Sequence, residues 1–133
     1  MWRERSVRRV LDLHAQLDVA LFGIGSPRAE VPSKGYRSDF LDRADAESLV
    51  QQGVVGDIAT VFFRADGSTT GIPLNARSTG PSFPMLRRVP RRICVVSGKS
   101  RLLALRGALS AGLISDLVID EPSASWLVRS MTA

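Results

Sequence analysis

Three short loops hold the residues of this chain whose types and spacing best suit chemistry on a small ligand. Asp57 follows the glycine-rich stretch Gly53–Gly56 and begins an apolar run. Gly23–Ser26 follows another apolar run, and Gly98–Arg101 opens a helical pattern. Glycine lets backbone approach a ligand closely, and each loop lies at the end of a predicted element. This arrangement indicates a binding site for a phosphorylated sugar or polyol.

The single cysteine and single histidine exclude several kinds of site. Cys94 has no partner for a disulfide within the chain, cannot build a cysteine zinc site, and lies in an apolar run that predicts burial. His14 lies on a predicted helix far along the chain from the three loops, which disfavours a Ser/His/Asp triad. We therefore predict no catalytic residue, no metal site and no cofactor.

Length and hydropathy indicate a single small domain or a part of a larger one. The chain has 133 residues, 44% of them hydrophobic, and no apolar run approaches the ~20 residues that span a bilayer. Its N-terminus has an amphipathic pattern instead of the apolar segment of a signal peptide. We expect a cytoplasmic protein with no membrane partner.

The charge of the chain is basic, with 18 Lys+Arg against 13 Asp+Glu and a net charge of +5. Arginines cluster near the N-terminus and again between Arg87 and Arg92. A basic surface permits binding to nucleic acid, but the sequence has no zinc-finger spacing and no recognisable helix-turn-helix. We interpret the arginines as solvated and expect no direct DNA binding by this chain alone.

Periodicity and turn residues predict an α/β fold. From Arg92 onward a β-α-β-α order predicts a parallel sheet with a right-handed crossover. The apolar first strand favours a sheet that is covered on both faces. The predicted elements are a helix over about Trp2–Gln16, a strand at Asp18–Gly23, a long loop over Gly25–Ala44, a helix at Asp45–Val50, a strand at Ile58–Phe63, a hairpin turn at Ala65–Ser68, its partner strand at Gly71–Asn75, a chain break at Thr79–Pro84, a strand at Arg92–Val96, a helix over about Ser100–Ala111, a strand at Leu117–Ile119 and a final helix of about nine residues from Pro122.

The predicted sheet is incomplete as a doubly wound domain, because few strands are visible and the first has no preceding β-α partner. We expect the chain either to be a fragment or to need another chain to complete its sheet. An unpaired sheet edge invites association, so a homo-oligomer is expected.

Four segments together resemble the C-terminal half of the sugar-binding domain of SorC/DeoR-type bacterial transcriptional regulators. They are DVALFGIGSP (Asp18–Pro27), GVVGDIATVFFRADG (Gly53–Gly67), LRRVPRRICVVSG (Leu86–Gly98) and ALRGALSAGLISDLVIDEPSASWLV (Ala104–Val128). Their order and spacing match the family over nearly the whole chain.

The resemblance implies a Rossmann-like three-layer fold of the ribose-5-phosphate isomerase, glucosamine-6-phosphate deaminase and coenzyme A transferase type. It implies an effector module that binds a phosphorylated sugar or related metabolite without turning it over. Residues 1–133 would be the distal part of that effector domain. The DNA-binding module and the first half of the effector domain would lie outside them. Two other functions stay open: a folded oligomerisation remnant without a ligand, and a sugar-phosphate isomerase or deaminase.

The resemblance also assigns candidate ligand-binding residues. Asp57 matches an acidic residue that contacts sugar hydroxyls, and its alternative role is to fix the loop by accepting backbone N–H groups. Arg101 matches a phosphate-binding lysine, with Lys99 as a helper, although both could be solvated cations at a helix start. The loop after the first strand contributes the remaining candidates, which are Gly23, Gly25 and Ser26, or else serves as a strand-exit turn.

Two further positions agree with the family, and one departs from it. Asp120 and Glu121 correspond to an acidic segment of the family, which we interpret mainly as a helix cap. Arg64 departs from the family's usual Asp, a change expected to affect only an exposed hairpin.

Overall fold

The computed structural model describes residues 4–28 and 41–132 and has a mixed α/β fold. Most of the predicted long loop, residues 29–40, lies outside the described residues. The helices and strands are α1 (Arg5–Leu13), β1 (Val19–Phe22), α2 (Arg43–Gln51), β2 (Val54–Ile58), β3 (Val61–Arg64), α3 (Phe83–Arg87), β4 (Arg91–Val96), α4 (Leu102–Ser110), β5 (Asp116–Ile119) and α5 (Glu121–Thr132). Short 3-10 turns at His14–Gln16, Pro73–Arg77 and Lys99–Arg101 supplement them.

A three-stranded parallel sheet in the order β1-β4-β5 organises the fold. Leu21 is paired with Ile93, and Val95 is paired with Val118. Helix α4 connects β4 to β5, so the parallel β-α-β unit predicted from Arg92 onward is confirmed.

One face of this sheet holds the main core. Cys94 and Leu105 are fully buried there, and Leu113 and Leu127 are also in the core cluster. The leucine spacing of α4 agrees with this packing, because the apolar stripe of the helix lies in this core cluster. The amphipathic pattern of the sequence thus gave the right buried face.

The opposite face of the sheet is open in the part of the chain that the structure describes. Val19, Leu21, Val95 and Val118 lie there and are 50%, 71%, 50% and 56% exposed. The expectation that the first strand is covered on both faces is therefore wrong for these residues. An open aliphatic face is unusual for a parallel sheet, which is normally buried on both sides.

A separate antiparallel hairpin, β2-β3, packs against α4. Its turn is formed by Ala59 and Thr60, which have positive φ angles of 47° and 68°. The prediction of one strand over Ile58–Phe63 with its hairpin turn at Ala65–Ser68 is wrong, since the chain already reverses between β2 and β3.

The predicted partner strand at Gly71–Asn75 is also wrong, because Pro73–Arg77 forms a 3-10 turn. The side chain of Asn75 takes the place of a strand there. It accepts from the backbone N–H of Phe62 at 2.8 Å and donates to the Phe62 carbonyl at 2.9 Å. The Asn75 side chain thus satisfies both backbone hydrogen-bonding groups of Phe62 at the edge of β3.

Helix α3 lies where the sequence predicts only a chain break. Ser82 caps it by accepting from the backbone N–H of Met85 at 3.3 Å, and a proline in the first turn fits the helix start. Phe83 and Leu86 are buried and fix the helix against the core. The prolines on either side of Ser82 favoured the prediction of a chain break over that of a capped helix.

The ends of the other helices agree more closely with the sequence. Asp42 caps α2 through the N–H of Asp45 at 2.7 Å, and Gly53, with φ of 70°, follows its C-terminus as predicted. Helix α5 has 12 residues and is longer than expected. Across residues 4–28 and 41–132, none of the helices has the length and apolar character that crossing a membrane requires.

Arg64 has a larger structural role than an exposed hairpin position would give it. Its Nε donates to the Gln52 carbonyl at 2.8 Å, and its Nη2 donates to Gln52 Oε1 at 2.9 Å. Its Nη1 also donates to the Thr70 carbonyl at 2.7 Å. The guanidinium therefore ties the end of α2 to the loop after β3.

Candidate functional site

The candidate site lies where the three parallel strands end. The loops after β1, β4 and β5 meet at this carboxyl edge, which is where open α/β sheets usually bind ligands. Two adjoining hollows are present, with volumes of about 590 Å³ and 820 Å³. Ser97, Arg101 and Asp120 line both of them.

The smaller, sheet-edge hollow is lined in addition by Gly23 and by Val118 and Ile119 of β5. The larger, basic hollow is lined in addition by Arg28, Lys99 and Trp126. One cation and one carboxylate thus face the sheet-edge hollow. Three cations and the same carboxylate face the basic hollow, which suits an anion.

The loop after β1 is held to its neighbours through Ser26 and Gly25. The Ser26 hydroxyl donates to the Ser100 carbonyl at 3.0 Å and accepts from the Arg28 N–H at 3.2 Å. Ser26 is only 2% exposed, so its hydroxyl connects two loops of the site. Gly25 exchanges two backbone hydrogen bonds with Asp57, at 2.9 and 3.1 Å.

The loop after β4 directs its cations along the basic hollow. Arg101 Nη1 donates to the Ser97 carbonyl at 3.1 Å, which folds the side chain back over its own loop. Since a guanidinium carries five N–H donors, others remain for an anion. The Lys99 ammonium lies 5.4 Å from the centroid of the Trp126 ring, a cation–π contact that restricts the side chain.

Asp57 lies inside strand β2 and not at the head of a strand after a glycine loop. Its neighbour Gly56 contacts α4 so closely that a Cβ there would lie 2.6 Å from the Ala104 Cβ. The Asp57 carboxylate is buried, with the residue 6% exposed, and accepts from the Thr60 N–H at 3.2 Å. This hydrogen bond stabilises the tight β2-β3 turn, as the alternative interpretation of the residue expected.

Asp120 has the exposed carboxylate of the site and precedes α5. Hydrogen bonds from the Ser123 hydroxyl and backbone N–H lower the pKa of this carboxyl below its usual range. Asp120 is therefore ionised at neutral pH. The predicted capping role is confirmed by the 3.4 Å contact between the Ser123 N–H and Asp120 Oδ2.

The sequence model of a family described as "Putative sugar-binding domain" matches residues 1–129. The chain belongs to this family. The SorC/DeoR resemblance is thereby confirmed, and so is the Rossmann-like fold class, which the solved relatives share.

Curated relatives of this sugar-binding domain are transcriptional regulators. The chain is 29% identical over 129 residues to the deoxyribonucleoside regulator of Bacillus subtilis strain 168, covering 97% of the chain and 40% of that protein. It is 30% identical over 128 residues to the transcriptional regulator LsrR of Escherichia coli K12, covering 96% of the chain and 40% of LsrR. The chain thus spans about two fifths of the curated relatives it matches.

Solved structures agree with this family. A domain of a possible sugar-binding transcriptional regulator from Arthrobacter aurescens TC1 is 56% identical, with a TM-score of 0.85. The match covers 97% of this chain and 49% of that one. Full-length SorC, the sorbitol operon regulator from Klebsiella pneumoniae, has the same fold at 24% identity, with a TM-score of 0.85 over 96% of this chain and 41% of SorC.

The structure brings most of the predicted residues of the sugar-binding domain to one edge. Gly23 and Arg101 share the sheet-edge hollow, and Lys99 joins Arg101 in the basic hollow. Gly25 and Ser26 hold the first loop in place. Asp57 is connected to this edge through the backbone of Gly25, while its carboxylate bonds the β2-β3 turn.

Several residues of the site were not predicted, among them Arg28, Ser123 and Trp126. Arg28 follows the predicted Gly/Ser/Pro loop directly, and Ser123 stands three residues after Asp120, at the spacing of a helix cap. The sequence therefore contained a local signal for both Arg28 and Ser123. Trp126 needed the path of α5, which brings its ring under Lys99. In the described residues, no group of three or more His, Cys, Asp or Glu side chains comes together as a metal site.

Proposed function

We propose that this chain is the effector-binding part of a bacterial transcriptional regulator and binds a phosphorylated sugar or related metabolite without converting it. The observation that carries the proposal is the basic hollow, where Arg28, Lys99 and Arg101 surround a space at the carboxyl edge of a parallel sheet. Guanidinium and ammonium groups recognise phosphate oxygens strongly, and the start of α4 at this edge adds favourable backbone dipoles.

The site residues of the proposal are those that the sequence predicts. Arg101 and Lys99 would bind the phosphate. Ser26 and the glycines at 23 and 25 would shape the wall of the site. Asp57 lines neither hollow, and only the family resemblance would have its carboxylate meet sugar hydroxyls in addition to bonding the turn.

The remaining features of the proposal follow from the similarity to regulators. The chain spans about two fifths of its curated relatives, and from the family resemblance of its four segments we propose that it is the distal part of an effector domain. DNA binding in the complete regulator would then belong to a segment outside these 133 residues. The site would work in the cytoplasm, where a bacterial regulator meets its operator.

We also propose that the chain forms a homo-oligomer through its open sheet face. The face is aliphatic, and the most exposed of its named side chains is Leu21 on the edge strand β1, which is 71% exposed. Exposed apolar patches of this kind usually mark interaction surfaces. Light scattering should show self-association that Leu21→Lys weakens, and a monomer at every concentration would contradict the oligomer.

Titration calorimetry and thermal shift with pentose and hexose phosphates test the binding proposal. At ~100 times its dissociation constant a ligand stabilises the fold by about 2.7 kcal/mol. Arg101→Ala should weaken binding by about tenfold or more, because a hydrogen bond to a charged group contributes ~1.5–3 kcal/mol.

The matched control is Arg106→Ala, which removes the same charge from an exposed position of α4, the helix that follows Arg101. It should leave binding unchanged. If no sugar phosphate binds the wild-type chain, the proposal fails and the chain is better described as an oligomerisation module.

A further inference from the structure

Asp120 is the negative group at the junction of the two hollows, and the cations of the site lie mainly to one side of it. We propose that Asp120 accepts hydrogen bonds from the hydroxyls of the sugar and so fixes the orientation of the ligand. The phosphate then lies in the basic hollow and the polyol part in the sheet-edge hollow. This inference rests on the proposed function and adds a residue that recognises the hydroxyls of the sugar.

The distribution of charge determines this orientation. Arg28, Lys99 and Arg101 outnumber the carboxylate in the basic hollow, so a phosphate is favoured there. In the sheet-edge hollow only Arg101 opposes Asp120 among the described lining residues, and the walls are otherwise backbone, serine and aliphatic side chains. A phosphate placed there would meet the carboxylate, whereas a hydroxyl would donate to it.

The hydrogen bonds of Asp120 leave room for a ligand. Among the described residues Ser123 is its hydrogen-bond partner, and the carboxylate is exposed. The Ser123 N–H approaches Oδ2, which keeps the side chain in place at the head of α5. A carboxylate with two oxygens can accept from Ser123 and from sugar hydroxyls at once.

A helix cap alone would explain the position of Asp120 equally well, so the test separates the two roles. Asp120→Asn retains a good N-cap but removes the charge and one acceptor oxygen. Glu121→Gln is the control, since it removes a neighbouring exposed charge from the first turn of the same helix. Asp120→Ser, another good cap, replaces the Asn variant if that one folds poorly.

The measurement compares the dissociation constants of ribose 5-phosphate, glucose 6-phosphate and inorganic phosphate by titration calorimetry. With Asp120→Asn, the sugar phosphate that binds best should lose about tenfold in affinity, because charge-assisted hydrogen bonds are lost. Inorganic phosphate should bind as well as before or better, since a repelling charge is gone. Glu121→Gln should change neither, and Arg101→Ala should weaken both ligands.

Two results would overturn the inference, and they are distinguishable. If the sugar phosphate binds and Asp120→Asn changes the two ligands equally or leaves both unchanged, Asp120 is only a cap, while the proposed function stands. If wild-type protein binds no sugar phosphate, the proposed function fails, and so does the proposal that Asp120 orients the ligand.

Discussion

The backbone N–H of Gly98 donates a 2.9 Å hydrogen bond to the hydroxyl of Ser123, which is 1% exposed. Gly98 has a φ of 99°, a conformation that favours glycine, and it begins the loop that holds Lys99 and Arg101. The first turn of α5 therefore fixes the shape of the loop after β4, to which we assign anion binding. A residue of the following β-α unit thus supports the site without a charge of its own.

Ser123→Ala should destabilise the fold and weaken phosphate binding together. The substitution leaves the Gly98 N–H without its partner and removes the hydroxyl that lowers the pKa of Asp120. Loss of a partner for a fully buried donor costs about 1–3 kcal/mol, and the partly buried Gly98 N–H should lie near the lower end of that range. Chemical denaturation and phosphate titration measure the two effects.

The control for this change is Ser130→Ala, on the same helix. The Ser130 hydroxyl donates to the carbonyl of Leu127 at 2.7 Å, and its removal leaves no N–H group unpaired at the site. Ser130→Ala should lower the free energy of unfolding by less than Ser123→Ala does, and it should leave phosphate binding unchanged. Equal stability of Ser123→Ala and wild type would show that the Gly98 hydrogen bond is replaceable.

Local patterns were sufficient to predict the β4-α4-β5 unit. Its strands are continuous apolar runs, and the leucines of α4 repeat with helical spacing, so one short segment contains both signals. The β2-β3 hairpin could not be predicted in this way. Its turn is Ala59–Thr60, which lacks the glycine or asparagine of a usual two-residue turn, while Asp66–Gly67 gave a stronger but misleading turn signal.

Local sequence patterns likewise predicted only part of the site. The position of Lys99 and Arg101 beside the basic hollow was predictable, because both cations stand at a helix start next to a glycine. The contacts of Ser26 with Ser100 and of Gly98 with Ser123 join residues 74 and 25 positions apart. Such contacts depend on which strands become neighbours, which one sequence does not reveal.

Gly56→Ala should be far more destabilising than Gly23→Ala, although both glycines lie close to the loop after β1. A Cβ at position 56 would lie 2.6 Å from the Ala104 Cβ and 2.7 Å from the Gly25 carbonyl oxygen. Overpacking of this kind typically costs about 1–3 kcal/mol. At position 23 a Cβ would lie 3.6 Å from the Val95 carbonyl oxygen, an ordinary contact.

Urea denaturation of the two variants measures this difference. Gly56→Ala should also alter the loop of Gly25, since the backbones of Gly25 and Asp57 are hydrogen-bonded. Gly23→Ala should remain within about 1 kcal/mol of wild type, because the lost chain entropy of the unfolded state offsets small strain. Similar costs for both would mean that α4 moves away from β2 without penalty.

Arg64→Ala should destabilise the protein, whereas Arg43→Ala should have little effect. The Arg64 guanidinium bonds the Gln52 carbonyl, Gln52 Oε1 and the Thr70 carbonyl. Hydrogen bonds of charged groups contribute about 1.5–3 kcal/mol each, and the lost network should lower the melting temperature by several degrees.

Arg43 is a matched arginine with a weaker contact. Its Nε lies 2.9 Å from Glu47 Oε1, but its side chain is 93% exposed. An exposed ion pair four residues apart on a helix contributes only about 0.3–0.5 kcal/mol. Scanning calorimetry of the two variants at one salt concentration distinguishes them, and equal melting temperatures would refute the structural role of Arg64.

Cys94 should resist alkylation until the protein unfolds. The residue is fully buried in β4, and burial raises the pKa of its thiol to about 11. An unfolded cysteine has a pKa of about 8.5, so the folded thiol carries on the order of 100-fold less thiolate at pH 8. Iodoacetamide labelling followed by mass spectrometry should therefore track unfolding in urea, and rapid labelling of native protein would contradict the burial.

The same shift predicts how stability depends on pH. The folded thiol keeps its proton up to about pH 11, while the unfolded thiol loses it from about pH 8.5. The folded state thus binds more protons between these values, and the free energy of unfolding contributed by the thiol falls as the pH rises through this window. Below about pH 8 the contribution is fully present.

Cys94→Ala removes this contribution, so the difference in unfolding free energy between wild type and variant should shrink from pH 8 to pH 11. A constant difference across that range would show that the thiol titrates alike in both states.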